Sequence, residues 1–321
     1  MPARTSHRGA SGSQRNAAAA PAPTRRRRSR IERALGRHPA GILLTAPYAL
    51  FVTAVFVYPI GLGIWMSFHD FFFTAPGVTV PTPFVGFDNY ASILSDPAVR
   101  ASFVHVAVFL VINVPLTLVL SLALATALNA VVHWHGFLRV AYFSPYITAS
   151  VAMITVWMFM FNSSGIVHQV LGSLAPDPAW LVNKAWAMPS IAIYVTWKGL
   201  GFYILLFLAA LQSVPKELHE AAAMDGANRW QSYKTVTIPA VRPVTSLVVM
   251  LGIITGANLF TEPYLLTGGG GPNGASTTPV FLLYQRGIEQ GHPATASAIG
   301  LVLVIGVLLV TYASRKITER D

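Results

Sequence analysis

The chain has 321 residues, of which 54% are hydrophobic and only 11% charged, against roughly a quarter charged in an ordinary soluble domain. Apolar runs of about 20 residues recur along it, so the composition fits the bilayer as solvent rather than water. It contains no cysteine, which excludes disulfides, thiolate catalysis and Cys-ligated metals.

The net charge of +10 belongs to one end. Ten of the 22 Lys and Arg residues precede Pro39, opposed there only by Glu32, and the remainder of the chain is nearly neutral. Residues 1–38 are otherwise rich in Ala, Ser, Pro and Gly without apolar periodicity, a composition that cannot bury enough surface to fold alone. They read as a disordered, basic cytoplasmic tail facing anionic membrane lipid, and nucleic acid is not its expected partner. The apolar stretch after Gly41 is too long for a signal-peptide core, and no small-residue cleavage site ends it. Residues 39–321 form the expected membrane domain.

Six stretches, approximately 42–68, 103–132, 137–161, 188–211, 244–266 and 296–314, can each cross a hydrocarbon core of about 30 Å. The expected fold is therefore all-α, a polytopic membrane protein with about six transmembrane helices. With the N-terminus inside, eighteen of the 22 basic residues fall in inside segments or at their edges, so both termini are expected in the cytoplasm. The segments 69–102, 162–187 and 267–295, polar and broken by Pro and Gly, are then external. Tyr58, Trp65, Tyr142, Trp180 and Tyr312 suit an interfacial belt.

Polar groups at bilayer depth are costly, and each needs a reason. Asn113 and Pro115 in the second stretch are explained by hydrogen bonding between helices. His133 and His135, flanking Trp134, are too few to hold a metal. Lys198 stands near the middle of the fourth stretch in the order Trp197-Lys198-Gly199-Leu200-Gly201, where the glycines permit a helix irregularity. Two readings stay open for it: lining a pathway, or pairing with another span or snorkelling. In the fifth stretch Asn258, Glu262 and Tyr264 surround Pro263, which interrupts regular hydrogen bonding. They line a cavity beside a broken helix, or Glu262 is a solvated carboxylate at the outer interface.

Between the fourth and fifth stretches, residues 213–243 read as two short helices. Ser213 and Pro215 suit a start, Glu217 favours the first turn, and Gly226 breaks the pattern where a side chain is expected to clash. Asn228 then caps a second helix bearing Trp230 and Tyr233, which Pro239 is expected to end. Leu218, Ala221, Ala222 and Asp225 share one face of the first helix, with Glu217 and Glu220 on its flank. A small-residue face of this kind suits docking to a partner; the alternative is a surface helix that merely covers the ends of the spans.

Glu220-Ala221-Ala222, Gly226 and Val236-Thr237-Ile238-Pro239 resemble, in identity and spacing, the EAA motif of ABC importer permeases. Val236 and Ile238 depart from the usual Ile and Leu but stay apolar. Phe87-Asp88-Asn89-Tyr90 and Leu266-Thr267 with Gly268 to Gly271 and Pro272 resemble segments of the carbohydrate-uptake branch. The resemblance covers roughly residues 41–316. It implies a bacterial inner-membrane permease subunit that translocates a sugar, oligosaccharide or polyol delivered by an external binding protein, beside a second permease subunit. It also implies that Glu220, Ala221, Ala222, Gly226 and Pro239 couple the chain to a cytoplasmic ATPase dimer, and Glu217 and Asp225, on the flank and face of the same helix, are expected to join them. ATP and Mg would be used by that partner, with no cofactor on this chain and no catalysis by it. Trp197, Lys198, Asn258, Glu262 and Tyr264 would lie on the substrate pathway, Trp197 stacking on a sugar ring. The Gly268 to Gly271 run lacks the Lys-Ser/Thr of a Walker A loop, so a turn or loop flexibility is its expected use. The competing reading is an ATP-independent secondary transporter or channel, which leaves the 213–243 loop without a purpose. An intramembrane enzyme would need an acid pair, nucleophile or metal cluster that the sequence does not supply.

Overall fold

A computed structural model describes residues 39–74, 77, 78, 80–130 and 135–318. The basic tail and the His133-Trp134 turn lie outside the described residues. The chain divides into two compact units, 1–59 and 60–321. In the first, Pro39–Val52 is helical and leads into the π-turn Thr53–Val57.

Among the described residues, four helices are long and apolar enough to cross a membrane: α1 (Leu44–Ser67), α3 (Pro97–Ala130), α6 (Ala187–Gln212) and α12, which runs Pro293–Thr318. A short α2 (Asp88–Ser95) precedes α3. The other two expected spans are bent. The third consists of α4 (His135–Ile147) and α5 (Ser150–Met160), which meet at 94°. The fifth begins as α8 (Arg229–Ala240), turns 61° into α9 (Arg242–Ala257), and continues after a break as α10 (Thr261–Leu265). The expected fifth span is thus a 16-residue helix of about 24 Å plus a separate turn. The interruption falls at Asn258–Phe260, ahead of Pro263 rather than at it.

The bend between α4 and α5 has local causes. Pro145 removes a backbone donor from the last turn of α4, Thr148 Oγ1 donates to Ser144 O (2.7 Å), and Ala149 is extended. Across the gap Tyr194 Oη donates to Ser150 O (3.4 Å), and Lys198 Nζ donates to Ser150 Oγ.

The core forms along the length of the bundle. One cluster joins Phe109, Ile154, Ile191, Tyr194 and Leu259; another joins Ala125, Ile204, Phe207, Leu211 and Val248. Both α3 and α6 run from the first cluster to the second, so they are parallel, whereas the chain through α9 to Leu259 runs back. Near the start of α12, Ala298 and Ile299 pack with Ile93, Val99 and Leu282. The 213–241 connection therefore emerges at the end opposite the connections that carry α2 and α11 (Pro279–Tyr284).

Lipid gives helices no hydrophobic reason to associate, so close van der Waals contact at small residues has to do so. A Cβ at Gly201 would stand 2.1 Å from Tyr142 O. Gly252 and Gly256, four apart on α9, approach Val114 and Leu110 of α3; a Cβ at either would come within 2.9 and 2.7 Å of those side chains. Gly199 and Gly201 do not interrupt α6, which is continuous through both. Gly201 serves close approach to α4 instead.

Candidate functional site

The 213–241 connection is an ordered elbow. Its first helix, α7 (Lys216–Met224), starts after Pro215 with Glu217 in the first turn, where the helix dipole favours a carboxylate. It ends in a Schellman turn. Gly226 N–H donates to Ala223 O (3.0 Å) and Ala227 N–H to Ala222 O (2.9 Å). Gly226 adopts a φ of 82°, and a Cβ there would meet nothing within 4 Å. The glycine is needed for its backbone conformation, and the expected side-chain clash does not occur.

Two residues on, Asn228 makes a complete capping box with Gln231: Gln231 N–H donates to Asn228 Oδ1 (2.9 Å) and Asn228 N–H to Gln231 Oε1 (2.8 Å). His219 Nδ1 and Ser232 Oγ, 2.9 Å apart, tie α7 to α8. The hydroxyls of Tyr233 and Thr126, 3.2 Å apart, tie α8 to the end of α3. Pro239 does not end the second helix. The π-turn Tyr233–Thr237 takes up a change of register, and Pro239 sits in the first turn of the restarted helix, where its missing N–H costs little. The break comes at Val241.

What the elbow presents is largely outward. No residue of α7 is buried; Leu218 is 49% exposed, Met224 89% and Trp230 67%. Glu217, Glu220, Ala221 and Asp225 are exposed as well. The face expected from spacing is therefore split. His219 draws its side of the helix inward with Ala222, while Leu218, Ala221 and Asp225 face away from the chain.

Between the helices lies a cavity of about 360 Å³ whose lining includes Asn113, Tyr146, Lys198, Phe202, Thr255 and Glu262. Lys198 and Glu262 are both half-buried and within Coulombic reach of each other. Asn113 Nδ2 donates to Thr196 Oγ1 (2.7 Å), the interhelical bond expected of it. The rings of Tyr146 and Phe202 stack at 5.2 Å and 14°. Lys198 thus combines its two open readings, since it pairs with Ser150 of another span and also lines the cavity.

Trp197, Asn258 and Tyr264 are not among the lining residues. Trp197 packs against Trp157 at 5.2 Å, Asn258 Nδ2 turns back to Ile254 O (2.8 Å), and Tyr264 stacks on Phe260 at 5.4 Å. Tyr146, Phe202, Tyr203 and Thr255 were invisible to an inspection for costly polar groups, because aromatic and hydroxyl side chains are unremarkable in an apolar helix. Among the described residues there is no cluster of three His, Asp or Glu that could hold a metal.

At the opposite end from the elbow, Asn89 Nδ2 donates to Ser67 O and His69 O (2.9 and 3.0 Å), and the Tyr90 and Ser67 hydroxyls lie 2.7 Å apart. These bonds clamp the end of α1 to α2. Asp96 forms an ion pair with Arg286, 190 positions away. Partial burial works to raise its carboxyl, but the guanidinium and the Ala98 N–H outweigh that and hold it below the ordinary range. Of the two uses expected for the Gly268 to Gly271 run, the structure shows the turn. All four residues have positive φ, and a Cβ at Gly270 or Gly271 would come within 2.5 Å of Thr277 Oγ1 or 2.7 Å of Ser276 Oγ.

Membrane-length helices, a cavity between helices that holds polar and charged groups, and an exposed elbow at one end are the features of a polytopic permease. The chain belongs to the family of binding-protein-dependent transport system inner membrane components, whose family model matches residues 42–321. It is 32% identical over 286 residues to the arabinooligosaccharides transport system permease protein AraP of Bacillus subtilis (strain 168), covering 87% of this chain and 88% of that one. It is also 32% identical over 279 residues to the trehalose/maltose transport system permease protein MalF of Thermococcus litoralis, covering 86% and 92%. The fold matches a chain in the crystal structure of a bacterial ABC transporter involved in the import of the acidic polysaccharide alginate. The TM-score is 0.74 at 19% identity, covering 91% of this chain and 99% of the other.

Proposed function

We propose that this chain is one permease subunit of an ATP-driven importer for a sugar, oligosaccharide or polyol. A binding protein delivers the substrate from outside, a second permease subunit completes the pore, and a cytoplasmic ATPase dimer drives the cycle using ATP and Mg. Both termini and the elbow then lie in the cytoplasm. The relatives whose names specify sugars support the substrate class. Lys198 and Glu262 lie on the pathway in this reading, and Trp197, Asn258 and Tyr264 at most flank it.

One observation carries the mechanism: the elbow spends caps, a Schellman turn and two tethers on holding rigid a helix that buries nothing in its own chain. A helix so held suits docking, with Leu218, Ala221 and Met224 as apolar contact and Glu217, Glu220 and Asp225 for basic groups of the ATPase. Movement of the ATPase then reaches the spans directly, because α8 and α9 are joined across the single residue Val241. An ATP-independent transporter or channel leaves this surface without use.

The test is Ala221→Glu, on the exposed side of α7. The variant is expected to reach the membrane at the wild-type level, while the ATPase no longer co-purifies with it and uptake falls to background. Unchanged uptake with the ATPase still attached overturns the proposal.

A further inference from the structure

The cavity has a particular charge makeup. Among the described residues, Lys198 and Glu262 are the charged ones that line it, one of each sign, brought there by different elements, α6 and α10. Lys198 Nζ is already engaged with Ser150 Oγ, and its charge is felt by Glu262. In a half-buried site opposite charges hold one another more strongly than in water, and separating them costs accordingly. A ligand carrying a carboxylate would meet the like charge of Glu262; a ligand carrying an ammonium would meet that of Lys198. An uncharged ligand faces neither penalty.

The remaining lining suits such a ligand. Tyr146 and Phe202, stacked with their rings nearly parallel, bring aromatic surface of the sort that the C–H face of a pyranose covers. Asn113, Tyr203 and Thr255 place amide and hydroxyl groups around it. The volume of about 360 Å³ falls within the range of small-molecule sites.

We infer that the cavity selects uncharged sugars, and that Lys198 and Glu262 act together as the specificity-determining pair that turns away uronic-acid and amino-sugar ligands. The pair is a neutraliser: each member cancels the charge that would otherwise recruit an ion of the opposite sign. This inference rests on the sugar-import reading but fails separately from it, since ATPase attachment depends on α7 and not on the cavity.

The experiment uses the full chain in lipid nanodiscs and calorimetric titration with three probes: maltotriose, trigalacturonate and chitotriosamine. Wild-type protein should bind maltotriose at least about tenfold more tightly than either charged probe, because a like-charge encounter costs more than a kilocalorie. Glu262→Gln strands the lysine charge and should raise affinity for trigalacturonate about tenfold; Lys198→Met should do the same for chitotriosamine. The double variant, again without net charge, should restore the preference for maltotriose. Should either single variant be lost from the membrane, the double variant and the wild-type ranking still decide. A wild-type preference for a charged probe, an unchanged ranking in both single variants, or no binding of any probe overturns the inference. ATPase co-purification with the same variants is expected to be unaffected, and its loss with intact probe selectivity would strike the import reading instead.

Discussion

The elbow at 213–241 and the cavity around Lys198 are built by opposite means. In the elbow, order is written between near neighbours: Gly226 closes on Ala222 and Ala223, Asn228 on Gln231, and His219 reaches Ser232 thirteen positions on. In the cavity, Asn113, Tyr146, Lys198, Thr255 and Glu262 come from five separate helices and meet only because those helices pack at glycines. A region of the first kind keeps its shape whatever moves around it, which suits a lever. A region of the second kind changes shape whenever its helices shift, which suits a compartment that must open to alternate sides. The two differ, therefore, in which substitutions they tolerate.

The largest expected effect is at Gly201, where the cavity walls meet. A Cβ there lies 2.1 Å from a backbone carbonyl oxygen and 2.7 Å from its carbon, and no rotamer change relieves either contact. Gly201→Val should cost more than about 3 kcal/mol, beyond the ordinary range of overpacking, and leave little monodisperse protein on extraction. A normal yield would show that α4 and α6 do not approach as described. Next comes Gly226, where space is free but φ is 82°. Gly226→Val should keep the chain in the membrane and lose at least about nine-tenths of uptake, because a β-branched residue resists this conformation by about 1–2 kcal/mol. Gly226→Asn, which tolerates positive φ, should retain most of it. Equal activity in the two variants would mean that the turn is not what sets the elbow.

The same division governs what could be read in advance. The elbow was legible almost residue by residue, down to the Asn228 cap, because its signals lie within a helical turn of the groups they satisfy. Where the reading erred, in having Pro239 stop the helix, the proline rule was outweighed by a π-turn that leaves no mark in composition. The face of α7 was misdivided for a related reason: spacing fixes which residues are neighbours but not which side is turned inward, and His219 decided that through a bond to Ser232. In the membrane region, length and hydropathy located the spans without revealing that two are bent. Lys198 and Glu262 were found because charge is conspicuous in an apolar helix. Tyr146 and Phe202 were not, since an aromatic at bilayer depth looks the same whether it lines a cavity or faces lipid. Gly201 was misread as a site of irregularity, because a glycine for bending and a glycine for close packing are the same residue in a sequence.

A smaller effect sharpens the local half of the comparison. Asn228→Ala removes one side chain from the capping box and should destabilise α8 by about 1 kcal/mol, visible as faster amide exchange at Gln231 and Ser232 with uptake reduced only a few-fold. Protection unchanged at those amides would mean that the Tyr233 tether to Thr126, and not the cap, holds the helix in place.

The smallest effect is at the far end, where Asp96 and Arg286 join segments 190 positions apart by a single partly exposed ion pair. Asp96 is held below the ordinary carboxylate range, so it is more acidic in the folded chain than in the unfolded one. A group of that kind contributes stability that is present above its unfolded value and is lost as pH falls through the folded one. Asp96→Asn should therefore lower stability at pH 7 by no more than about 1 kcal/mol, the usual worth of an exposed pair. The gap between wild type and variant, measured by thermal unfolding, should begin to close only below about pH 4, where unfolded carboxylates take up protons. No gap at any pH would show that Asp96 acts through the Ala98 N–H as a cap for α3, a role asparagine keeps, rather than through the guanidinium, returning this long-range joint to the class of local devices that shape the elbow.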